Sequence, residues 1–160
     1  MATITQRAAR VANTISGNSP EVKVFPEAAS QSFKAGEFVY LVSGKVTVCA
    51  SNGTVILGMA VADASGTTDE DCAVYIANGD TVFEANIYHS TVGSAVTAIT
   101  DVGVCYALLV SSNKHYVDKE DTDNDAFQVR RISPKDIVGD TYGRVEFQVI
   151  ASVRQLGDGS

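Results

Sequence analysis

Three aspartates at alternate positions, Asp121, Asp123 and Asp125, stand in the acidic run "DKEDTDND" (118–125). A calcium loop opens with this spacing, because alternate side chains can turn carboxylate oxygens onto one hard cation. The rest of that pattern is missing. Its sixth position is Ala126, where the sharp turn requires Gly, and its twelfth is Ile132, where a bidentate Glu belongs. Asp121, Asp123 and Asp125 are thus candidate ligands of an improvised calcium or magnesium site, beside the plainer reading of a solvated loop extended by like charge. The histidines are His89 and His115, each next to a tyrosine in "YHS" and "KHY". Neither carries the signature of a nucleophile or metal partner, and no Gly-x-Ser-x-Gly elbow, phosphate loop or His-Glu-x-x-His occurs. Triads assemble from distant positions, so an enzyme reading would rest on finding either histidine in a cleft beside a carboxylate. The expectation is no catalytic residue and no cofactor.

Cys49, Cys72 and Cys105 are an odd number of thiols set among apolar neighbours, without a Cys-x-x-Cys or Cys/His pairing. They read as buried, reduced cysteines rather than a disulfide frame or a zinc site. The formal net charge is -7, which disfavours nucleic-acid binding by the surface as a whole. No apolar run approaches the roughly 20 residues of a membrane-spanning helix, and no membrane partner is expected. The one compact basic cluster in the body is Arg130-Arg131 with Lys135. If "FQVRRIS" is a strand, its two arginines point to opposite faces; one of them could join a surface patch and make a mild anion or acidic-partner contact, beside the plainer reading that the charge guards a solvated edge.

The elements that must position these residues are strands. At 160 residues the chain fits one domain. Thirteen glycines, no tryptophan and abundant Val, Thr and Ala favour β structure. Pro26 breaks the alternation of "VKVFPEAA", as at a sheet edge. Strands are expected near 37–42, 45–50 and 54–62, with Ser43-Gly44 and Asn52-Gly53 as hairpin turns. In "KVTVCA", Val46 and Val48 share one face and Lys45 and Thr47 the other. "CAVYIA" (72–77) and "TVFEANI" (81–87) flank an Asn78-Gly79-Asp80 turn. "TVGSAVTAIT" (91–100) allows a short helix, which Gly93 and the threonines weaken. "VGVCYALLV" (102–110) reads as a strand buried on both faces. Residues 111–127 read as a polar loop, and "FQVRRIS" and "GRVEFQVIASVRQL" complete the sheet. Short strands, turn residues and little helix predict an all-β barrel or sandwich.

Residues 1–20 differ from the rest. They contain Arg7 and Arg10 and no Asp or Glu, and "GNSP" stops any helix begun upstream. Ile4, Val11 and Ile15 are too scattered for a stable amphipathic helix. The segment reads as an arm that is flexible in isolation, or as a simple disordered tail. The expected organisation is an arm over 1–20, one β-barrel-like domain over 21–157 and a disordered tail over 158–160.

Several segments together resemble the head decoration, or capsid cement, proteins of tailed bacteriophages. They are "FKAGEFVYLVSGKVTVCASNG", "LGMAVADASGTTDEDCAVYIANGDTVFEANI", and "NKHYVDKEDTDNDAFQVRRI" followed by "VGDTYGRVEFQVIASV". The resemblance spans about residues 22–156 and is one of pattern. It implies a compact β-barrel or β-tulip-like domain on the outer surface of the phage capsid, within the virion, made in the host cytoplasm. The implied partners are the major capsid protein and neighbouring copies of the same chain, as a homo-oligomer and most simply a trimer. The implied role is to bridge capsid subunits and stabilise the head, without catalysis. The stretch after Ile99 is longer than in the short members. On this reading the arm supplies capsid-binding residues: Ile4, Arg7, Arg10, Val11 and Ile15, with the arginines facing acidic capsid loops. The alternative is a carbohydrate- or receptor-binding β module of a virion, stacking sugars on Tyr75, Tyr88, Tyr116 or Tyr142.

Overall fold

The computed structural model describes residues 1–156, so the tail expected at 158–160 and the last residue of the expected domain lie outside the described residues. Strands β1 (Arg10–Thr14), β2 (Val22–Pro26), β3 (Phe38–Val42), β4 (Lys45–Val48), β5 (Gly58–Ala60) and β6 (Asp71–Ile76) come first. They are followed by β7 (Thr81–Tyr88), β8 (Cys105–Ser111), β9 (Lys114–Asp118), β10 (Phe127–Ile132) and β11 (Arg144–Val149). Two single 3-10 turns, Val92–Ser94 and Ile99–Asp101, stand where a short helix was allowed. The chain is all-β.

One sheet runs β1-β7-β11-β10-β8-β9, and β9 also pairs with β7, closing a five-strand β-barrel of β7, β11, β10, β8 and β9. Closure leaves these five strands no full-length free edge. The other sheet runs β2-β6-β5-β3-β4, and a Glu27–Val46 bridge draws its two outer strands together. Alternation divides β3, β5 and β6 of this second sheet between two cores. Val39, Val74 and Ile76 point into its own curl with Phe33, Val46 and Leu57, whereas Phe38, Met59 and Tyr75 point to the barrel. Phe38 meets Phe83 and Phe127 there, each at 5.1 Å between ring centroids, and Phe127 lies 4.4 Å from Phe147. These offset and edge contacts add to the burial of large apolar rings. Strand β5 is pressed so closely onto β6 that a Cβ at Gly58 would lie 1.9 Å from the Tyr75 carbonyl oxygen.

Several expectations of local structure change in the sheet. Ser43-Gly44 does close the β3–β4 hairpin, and Val46 and Val48 do face the core. Asn52-Gly53 is a local turn but joins no hairpin: the strand after it pairs with β3, so the connection crosses that strand instead. The Asn78-Gly79-Asp80 turn passes from one sheet to the other, because β6 and β7 do not pair. Within the segment read as a polar loop lies β9, whose residues His115 to Asp118 are all buried. The last strand ends at Val149, and the chain beyond it turns back to bridge Ile56 through Arg154.

Candidate functional site

The arm is laid on the body. Ala9 and Val11 belong to the core shared by the two sheets, and β1 pairs with the first half of β7, the strand whose other end pairs with β9. Thr3 bridges Thr141, the Ile4 N–H donates to the Thr141 carbonyl, and Asn86 both accepts from the Arg7 N–H and donates to the Thr5 carbonyl. A segment too sparse in apolar residues to fold alone is thus ordered by backbone partners, buried Ala9 and half-buried Val11. The arm read from the sequence as flexible in isolation is, in this structure, paired through β1 with barrel strand β7.

This docking creates a charged outer face over β1, β7, β11 and β10. Glu84, which is 2% exposed, pairs with Arg10 at 2.9 Å, accepts from the Ser133 hydroxyl at 2.8 Å, and has Lys135 and Arg144 within 4.0 Å. Glu146 receives both arms of Arg131, at 2.9 and 3.1 Å, and the Asn13 amide at 3.0 Å. Asp136 takes Arg144 in the same two-pronged way, and those hydrogen bonds hold its carboxyl below the usual carboxylate range. A buried carboxylate is tolerated only when so engaged.

Arg130 is where sequence periodicity fails. Val129 pairs with Phe147 and Arg131 with Glu146, so Arg130 is an extra residue in a β-bulge. One inserted residue resets the alternation. Arg130 and Arg131 therefore share the outer face instead of straddling the strand, and both line a groove of about 350 Å³ with Asn13, Ile15, Val82 and Glu146. Arg131 is anchored to Glu146, while Arg130 donates one hydrogen bond to Gln148 and keeps the rest of its guanidinium exposed. Arg10, Lys135 and Arg144 around Glu84, with Arg130 and Arg131 beside Glu146, put five of the chain's twelve basic residues on this face of an acidic protein. Exposed Ile15 supplies an apolar element at its edge.

The structure thus brings Ile15 together with Arg130 and Arg131, for which the sequence reading favoured an edge-guarding role, and places Arg10 on Glu84 of the same face. Arg7 is exposed, with its N–H on Asn86. Val11 is turned into the core and Ile4 is half-buried, and both hold the arm in place. Asp121 spends its oxygens on the Asp123 and Asn124 N–H groups and the Asn124 amide, and no group of three metal-ligating side chains occurs among the described residues. His89 accepts from the Thr91 N–H on an exposed turn, where Ser90 and Glu120 are bonded to each other. His115 does lie beside a carboxylate, with Nε2 3.3 Å from Glu37 Oε1, but it is itself fully buried. Its Nδ1 accepts the Phe38 N–H at 2.9 Å, so the ring proton sits on Nε2 and faces Glu37. This pair ties β9 to the start of β3. Tyr116 is buried against Tyr88 at 6.0 Å, which removes it from any sugar-stacking platform. Cys49 and Cys72 are buried and Cys105 half-buried, all three unbridged.

No protein-family model matches the chain, and no curated protein matches it significantly.

Proposed function

We propose that the protein is a structural virion component that binds the outer surface of a phage capsid through its basic face and stabilises the head by bridging major capsid protein subunits. The carrying observation is the groove that Arg130 and Arg131 line with exposed Ile15, beside Arg10, Lys135 and Arg144 around Glu84, in a chain of net charge -7. Such a face suits acidic loops of a protein partner: guanidinium forks bind carboxylates in pairs, and the acidic remainder of the surface repels nucleic acid. A closed barrel presents this face rigidly, so little ordering entropy is lost on docking. Modest affinity per copy suffices when oligomers engage several sites at once. The expected partners are the major capsid protein and neighbouring copies of the chain.

Co-sedimentation with expanded phage heads tests this reading, comparing the natural chain with the Arg130→Ala/Arg131→Ala variant at two salt concentrations. Saturable pelleting that weakens in the variant and at high salt is the expected result. No pelleting at micromolar protein, or equal pelleting of both proteins, would sink the proposal.

A further inference from the structure

Away from the basic face, the β8–β9 hairpin tip and the second sheet enclose a crevice of about 440 Å³. One wall is Val110 to Asn113 and the other combines Ser32 and Phe33 with Val48 to Ser51. The two walls come from different sheets, a common position for ligand sites. Glu37 lies at its base and is only 3% exposed. His115 contacts one of its carboxylate oxygens from the buried side, and the Lys34 N–H donates to the other at 2.6 Å. Burial pushes the Glu37 carboxyl up, but His115 and Lys34 outweigh it and hold the group below its ordinary value, so it stays ionised. A carboxylate has room for about four hydrogen bonds, so further acceptor positions remain for a ligand.

The mouth is rich in hydroxyls. Ser32, Ser111 and Ser112 are exposed, and their hydroxyls make no hydrogen bond among the described residues. Ser51 accepts the Val110 N–H and still has its own proton to donate. Val48, Ala50 and Val110 give the crevice apolar lining as well. An anion would meet the Glu37 charge. A metal ion would find a single carboxylate, since no ligand trio exists among the described residues. A hydroxylated ring meets all three surfaces at once: its O–H groups donate to Glu37, exchange hydrogen bonds with the serines, and its C–H face lies on the valines.

We infer that this crevice is a binding site for one neutral saccharide residue, held by Glu37 at the base and by Ser32, Ser111 and Ser112 at the rim. It is separate from the basic face, and its occupancy does not depend on capsid binding. Saturation-transfer NMR on the full chain tests it, with glucose, galactose, mannose and N-acetylglucosamine as probes and methylammonium as the cationic competitor. At least one sugar should bind with a Kd of about 1–10 mM, as expected for a small ligand with few anchoring atoms. Glu37→Gln should weaken it about tenfold. Because Glu37 is buried and Gln could disturb the pairing with His115, Ser111→Tyr provides the second test: it fills the mouth from an exposed position and should abolish the signal, whereas Ser94→Tyr, at an exposed serine elsewhere, should not. Absence of signal from all four sugars, signal unchanged in Ser111→Tyr, or methylammonium outcompeting every sugar would each overturn the assignment.

Discussion

Replacing Gly36 by Ala should release the arm. Gly36 has φ +91°, and a Cβ there would lie 2.5 Å from the Ala9 carbonyl oxygen and 3.1 Å from the Ala8 side chain. The left-handed backbone alone costs an L-residue about 1–2 kcal/mol. The closer contact is to backbone, so no rotamer change relieves it, and residues 8–9 must move outward. That shift draws Ala9 and Val11 from the core and strains the β1–β7 ladder. The total should be about 2–4 kcal/mol, or about 5–15 °C in melting temperature for a chain of this size. Calorimetry gives the shift, and hydrogen exchange at the β1 amides shows whether the loss is local to the arm. A chain lacking residues 1–14 supplies the decisive comparison. With the clash partner gone, Gly36→Ala should cost only the backbone strain, about 1–2 kcal/mol. If the substitution costs the same with and without the arm, or melts within about 2 °C of the natural chain with β1 still protected, the close approach is not what seats the arm.

Three further outcomes are expected. His115→Phe should destabilise the protein by about 2–4 kcal/mol, because it leaves the buried Phe38 N–H and Glu37 without their partner; denaturant unfolding measures this, and a change below about 0.5 kcal/mol would discount the tie between β9 and β3. Arg144 holds the Asp136 carboxyl below its ordinary 3.8, so the stabilisation it provides is complete above that value and is lost as pH falls through the lower native one. Asp136→Asn should therefore be less stable at neutral pH and lose less stability on acidification below about pH 4, whereas parallel pH profiles would contradict the pairing. Burial raises all three thiols, with Cys72 pushed up to about 11 and Cys49 higher still. Mass spectrometry after labelling at pH 8 should find half-exposed Cys105 modified first and Cys49 only on unfolding; early labelling of Cys49 would contradict its placement in the core.

What was legible in the sequence was local. Side-chain alternation placed Val46 and Val48 on one face, Ser43-Gly44 marked a true hairpin, and Pro26 marked the end of an edge strand. Turn chemistry and a period of two are written in neighbouring residues, so an all-β chain followed from them. Strand β9 was not legible. "KHYVD" reads as polar because the groups that make its burial tolerable, such as Glu37 opposite His115, lie far away in the chain. The shared face of Arg130 and Arg131 was hidden for a related reason: the bulge exists only in the register with β11, and register belongs to the pair of strands. The same holds for the arm, whose Ala9 and Val11 have nothing to bury against until the barrel exists. Periodicity tells a strand which residues share a side, but only the partner strands decide where that side points and which distant charges it meets.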